Sequence, residues 1–265
     1  MAKAYVTISA DWDGDFGYTL DAIALVKKQF ANASGKFAGI PITHFITPVY
    51  LTRNNGGLER RYLAATQDLL ATTSCEVGLH VHCWESLLQC IGVPYLEACP
   101  GTSWDASSGG RGQYDPEMTV HGKKAEPEVA MEYGHSVPLW FYNATDIGKI
   151  LELSRRVLVN KGTGGVPADI VGFRCGGWMT DDKVFKALIA KGFTYDSSAM
   201  DLSVCDALND PRGDLTKFQQ YLPKPVTWGG DSLLEIPNTC TLADYVSEEA
   251  MTNHIKEALQ LVKTS

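Results

Sequence analysis

The chain has 265 residues, 45% of them hydrophobic and 20% charged, enough to build one large core or two small ones. A formal net charge of −8 leaves no basic stripe to neutralise phosphates, which argues against nucleic-acid binding. No run of about 18 apolar residues offers a membrane span. The start, MAKAYVTISADWDGD, lacks an apolar signal core with a small-residue cleavage site. The seven cysteines form no CxxC pair and leave one over, so reduced thiols and a cytoplasmic location are expected.

Strand-like and helix-like segments alternate along the chain, the pattern of an α/β fold on parallel strands. AYVTISA (4–10) is an apolar, β-branched run suited to a strand buried on both faces. A helix is expected from Thr19 to about NASG, with Leu20, Ile23 and Phe30 on one side. ITHFITPVYL (42–51) reads as the second strand, LERRYLAATQDLLA (58–71) as a helix and CEVGLHVH (75–82) as the third strand. From Ser86 to about Pro138 the periodicity fails amid prolines and glycines, which predicts an irregular insertion, either a surface excursion or a wall over a site.

Alternation then resumes. NATDIGKILELSRRVLVNKG is a helix with Asn143 and Thr145 as cap candidates and a Lys-Gly stop. DIVGFRCGG (169–177) is strand four, TDDKVFKALIAKG (180–192) a capped helix, FTYDSSA (193–199) strand five and SLLEIP (232–237) strand six. EEAMTNHIKEALQLV is a last helix. Without a repeat or a linker, residues 1–265 read as a single domain carrying the insertion at about 86–138.

Residues i and i+2 of a strand point the same way. Asp11 and Asp13 therefore share a direction after strand one, and His80 and His82 share one at the end of strand three. Ligands of parallel α/β folds gather at the carboxyl ends of strands, so these carboxylates and imidazoles could meet over one end of the sheet. Mixed nitrogen and oxygen donors suit a divalent ion, Zn²⁺ first, with Co, Ni or Mn also accommodated. The plainer alternatives are a polar pair at a turn for the histidines and a helix cap for the acids.

Arg174, at the end of strand four, could hold an aspartate in one orientation or could form an ordinary strand-end ion pair. Gly176 and Gly177 beside it allow close approach of backbone or ligand. Trp12, Trp84 and Trp178 lie within or beside these motifs and suit either a sugar face or rim packing. With His135 of the insertion and the two glycines, they are the candidates for substrate contact. His44, in mid-strand, is expected in or near the core rather than as a ligand.

The order SADWD, EVGLHVHCW, FRCGGW, GFTYDSSA and a strand ending in EIP resembles the polysaccharide deacetylases of the NodB-homology type over most of residues 4–238. That resemblance implies a distorted (β/α) barrel of six to seven parallel strands and a metal-dependent hydrolase that removes N- or O-acetyl groups from saccharides. It implies Asp11 as general base, Asp13, His80 and His82 as metal ligands, and Arg174 as the group that orients Asp11.

Two departures stand out. The commoner family pattern spaces the histidines by four, whereas position 84 here is Trp. The family's Leu-x-His motif, source of a catalytic acid, is missing, and His254 lies in the last helix: either the chain stops short of the last strand that carries it, or His121 or His135 substitutes, or the acid is lost. A catalytically inactive sugar-binding protein of the same fold is therefore an alternative. A DxD glycosyltransferase is a further one, although it leaves HxH and Arg174 unexplained; an amidohydrolase would carry HxH on the first strand.

Overall fold

The computed structural model describes residues 7–12, 16–52, 58–96, 138–161, 169–178, 180–199, 224–228, 230–236 and 238, together with 119–120, 123–124, 249, 252–253, 256 and 260. Asp13, His121, His135, His254 and most of the expected last helix and insertion lie outside these residues.

A seven-stranded sheet carries the fold. Its strands are β1 (Ser9–Trp12), β2 (Ile42–Ile46), β3 (Cys75–Val81), β6 (Gly172–Cys175), β7 (Tyr195–Asp196), β8 (Lys224–Trp228) and β9 (Asp231–Glu235). A separate antiparallel pair joins β4 (Thr119–Val120) to β5 (Lys123–Lys124). The main order is β1-β2-β3-β6-β7-β9-β8, parallel throughout except for the antiparallel β8–β9 edge.

The helices are α1 (Phe16–Phe30), α2 (Leu58–Thr72), α3 (Glu85–Ile91), α4 (Ala144–Lys161) and α5 (Asp182–Ala190). Their ends follow from side-chain chemistry. Asn143 Oδ1 accepts from the Asp146 amide at 2.9 Å while its Nδ2 donates to Asp146 Oδ2 at 2.7 Å, a reciprocal cap on α4. Asp181 Oδ1 accepts from the Val184 amide at 2.9 Å and starts α5.

Several sequence expectations need correction. The second strand ends at Ile46, with Pro48–Leu51 forming a 3₁₀ turn, and the fifth is only Tyr195–Asp196. Helix α1 begins at Phe16, not Thr19. The stretch after Ser86 is not wholly irregular: α3 opens it, with Leu87 and Leu88 buried and Gly92 closing the helix in the left-handed region at φ 69°. Two turns are too short for a periodic signal to stand out. The strand expected at 232–237 is β9 at Asp231–Glu235, and it is paired with β8, which the reading missed. The Gly229-Gly230 dipeptide between them is the sequence mark of a tight hairpin. That hairpin makes the edge antiparallel, so a purely parallel set of strands does not describe the sheet.

Register sorts the side chains into two faces. One row runs Asp11, Phe45, Gly78, Gly172, Tyr195, Leu234. The next residue along each strand gives the opposite-facing row Trp12, Ile46, Leu79, Phe173, Asp196, Glu235. The second row belongs to the core beneath the helices, where Ile46, Leu79 and Phe173 are at most 1% exposed.

The first face is concave. Arg174 of β6 reaches Asp11 of β1 across two intervening strands, with Nη1 2.7 Å from Oδ1. In a flat sheet three strand spacings would separate them by about 14 Å, farther than an arginine extends. Among the described residues β1 and β8 do not pair, so the sheet is a curled wall.

Glycines open room inside the curve. A Cβ on Gly78 would lie 2.5 Å from Cδ1 and Cε1 of Phe45. That ring is 1% exposed, and the Arg174 guanidinium sits 4.1 Å from its centroid. Gly78→Ala is expected to destabilise the protein by about 1–3 kcal/mol, read by urea unfolding. An unchanged midpoint would show that the ring has space to yield.

Candidate functional site

The floor of the concave face is built around Arg174, whose side chain is 5% exposed. Its Nε donates to the Ser197 carbonyl at 3.0 Å and Nη1 to Asp11 Oδ1 at 2.7 Å. Nη2 is shared among Ser9 Oγ at 2.9 Å, Ser197 Oγ at 2.8 Å and Asn238 Oδ1 at 2.9 Å. A planar fork satisfied on every nitrogen has one orientation, and it transmits that orientation to the Asp11 carboxylate. The Asp11 side chain is 10% exposed, so the ion pair is only lightly screened by water.

His80 stands beside Arg174 in register and is 2% exposed. Its Nδ1 lies 3.0 Å from the Arg174 carbonyl oxygen. A carbonyl only accepts, so Nδ1 carries the proton and the neutral ring has its lone pair on Nε2. The His82 ring is 4.9 Å from that of His80, edge to face, and stacks on Trp84 at 4.7 Å and 10°. A Cβ on Gly176 would fall 2.6 Å from His82 Nδ1 and 2.7 Å from the Val81 carbonyl oxygen. Glycine at 176 is thus what lets the His82 ring lie where it does.

The structure therefore brings Asp11, Arg174, His80, His82, Trp84 and Gly176 into one neighbourhood by register and contact. Trp12 lies elsewhere. It follows Asp11 in β1, so it faces the core, is 4% exposed and donates from Nε1 to His44 Nδ1 at 3.2 Å. His44 is fully buried, and burial holds its imidazole well below the usual value, at about 4. Trp84 is 4% exposed, so its contact is with the His82 ring rather than with solvent. Trp178 is partly exposed and held at φ 55°, a left-handed backbone that costs a bulky residue on the order of 1–3 kcal/mol. Gly177 lies with it in the 3₁₀ turn Gly176–Trp178 that follows β6.

The donor chemistry suits a first-row divalent ion in part. A ring nitrogen tied to a backbone carbonyl, as in His80, is the usual outer support of a metal-ligating histidine. Among the described residues no group of three His, Cys, Asp or Glu side chains is placed to hold a metal. The third donor expected from the sequence, Asp13, is outside them.

Ser9, Ser197 and Asn238 belong to the floor and were not singled out by the sequence reading. Strand alternation carried a signal for Ser197: in YDSSA it must point opposite to Asp196 and Ser198, toward Arg174.

No protein-family model matches the chain, and no curated protein matches it. Among solved structures, a Mycobacterium smegmatis protein described as a polysaccharide deacetylase is 13% identical and superposes with a TM-score of 0.48, over 97% of this chain and 72% of that one. Likeness at that level leaves the functional reading to the residues themselves. No helix among the described residues is long and apolar enough to cross a membrane.

Proposed function

We propose that the chain is a metal-dependent hydrolase that removes an N- or O-acetyl group from a saccharide. The observation that carries this reading is the Arg174–Asp11 pair, an oriented carboxylate on the same concave face as His80. His80 and His82, with Asp13, would hold the ion, Zn²⁺ or another first-row divalent metal. When bound, it would polarise the acyl carbonyl and lower the pKa of water.

The chain's own groups supply the rest. Asp11 takes the proton from the attacking water while Arg174 fixes its Oδ1 and so the direction of its other oxygen. Trp84 stacked on His82 and Gly176 beneath it restrict the imidazole to one plane. Trp178, held at a strained backbone beside the site, offers an aromatic face to a sugar ring. Gly177 and His135 complete the proposed contacts with substrate.

The alternative is a sugar-binding protein without turnover. Metal analysis of untagged protein separates the two. The expected result is about one divalent ion per chain, lost in both His80→Ala and His82→Ala, with acetate released from acetylated sugars by the wild type. Absence of metal after reconstitution, with no acetate released, would overturn the hydrolase in favour of binding.

A further inference from the structure

Behind the Arg174 floor, on the opposite sheet face, two acids stand side by side. Asp196 of β7 and Glu235 of β9 are register partners, 0% and 2% exposed. They end the core-facing row that begins with Trp12, where neighbouring strands contribute Leu79 and Phe173. Two carboxylates cannot both stay ionised in such a place.

The hydrogen bonds show how one charge is accommodated. Asp196 Oδ1 accepts from Ser198 Oγ at 2.6 Å, and Ser198 Oγ in turn accepts from the Cys175 amide at 2.8 Å. Glu235 Oε1 accepts from the Ala199 amide at 2.9 Å. As an ionised acceptor, Glu235 Oε2 finds no donor among the described residues; once protonated, it has the carboxylate of its register partner Asp196 as the neighbouring group able to accept.

The same bonds fix the turn from Ser197 to Ala199. The Ser197 carbonyl and hydroxyl accept from Arg174, and Asn238 clamps the turn from the other side, its Nδ2 donating to the Ser197 carbonyl at 2.7 Å.

We propose that Asp196 and Glu235 share a single proton across β7 and β9, and that this pair fixes the Ser197–Ala199 turn on which Arg174 rests. They are positioning residues for the Arg174–Asp11 pair. Burial, and then the charge of Asp196, raise Glu235 well above the carboxylate range, while burial pushes Asp196 to about 6. The other titratable or charged groups on the packed elements are Arg174 and Cys175 of β6, Tyr195 of β7, Asp181, Asp182, Lys183 and Lys186 at α5, Asp231 of β9 and Lys224, the register partner of Glu235 in β8. Lys183 is spent on the Trp140 and Tyr142 carbonyls. Arg174 is the cation whose charge favours ionisation of both acids.

The test needs no substrate, so it stands or falls apart from the hydrolase reading that it deepens. A proton kept by folded Glu235 is released on unfolding, because its folded pKa is raised; stability is then lost as pH rises. Glu235→Gln replaces that proton with an amide hydrogen that Asp196 can still accept. Above about pH 5, where an unfolded glutamate is ionised, the wild-type unfolding constant is expected to rise by up to about tenfold more per pH unit than that of Glu235→Gln, until the folded pair loses its proton. The variant should match or exceed wild-type stability at about pH 7. Parallel pH profiles, or a variant less stable than wild type at neutral pH, would overturn the shared proton.

The positioning role is read from the Arg174 Nε–H resonance in protein labelled with ¹⁵N-arginine. Ser198→Ala should speed its exchange with solvent while Glu235→Gln leaves it unchanged. An unmoved resonance in Ser198→Ala would reduce the pair to a core feature with no hold on Arg174.

Discussion

Arg174→Ala is expected to destabilise the protein by about 3–5 kcal/mol in equilibrium urea unfolding, the range for removing one partner of a buried ion pair. The guanidinium and the Asp11 carboxylate are 5% and 10% exposed, so deletion leaves an aspartate with little solvent to replace its partner. Ser9, Ser197 and Asn238 also lose their shared donor. Arg174→Lys should recover only part of the loss, because an ammonium keeps the charge but lacks the fork that serves β1, Ser197 and Asn238 at once. The Lys191–Glu152 pair, 31% and 44% exposed, is the internal comparison, and breaking it should cost far less than the loss of Arg174 because solvent replaces either partner. Equal costs at the two sites would mean that the floor tolerates an unpaired Asp11.

Asp11→Asn is expected to leave the protein folded and to lower turnover on an acetylated sugar by roughly 10²–10⁴-fold, the contribution of a positioned general base. An amide is nearly isosteric with the carboxylate and still offers Arg174 an oxygen, so orientation survives while proton acceptance does not. Metal content should be unchanged, because the proposed ligands are Asp13, His80 and His82. Turnover at the wild-type rate would remove Asp11 from the chemistry. Loss of metal with the mutation would make it a ligand.

Most strands of the sheet were readable from the sequence because buried parallel strands are short apolar runs punctuated by capped helices, as in ITHFI and GFRC. What the reading missed has local causes. Helix α3 is too short to build a period, and β8 (KPVTW) carries a proline and two polar residues that hide an edge strand. At the site, the spacing of HVH and the FRCGG block were visible, but burial was not. Trp12 resembles a rim aromatic in the sequence, yet it follows Asp11 by one residue and alternation turns it into the core. Asp196 and Glu235 were visible only as letters within YDSSA and EIP, since nothing along the chain says that two acids at positions 196 and 235 will be register partners.

The curl of the sheet also sets an order of events during synthesis. Asp11 and Arg174 are 163 residues apart in the chain, and Asn238 lies a further 64 beyond Arg174. Strand β1 must therefore wait, without its cation, until the 163 residues up to Arg174 have followed it from the ribosome. Contacts of such separation are closed late, at the end of a slow search rather than near its nucleus. The oriented carboxylate would then be among the last features to form in each newly made molecule, arriving together with the closure of the concave wall.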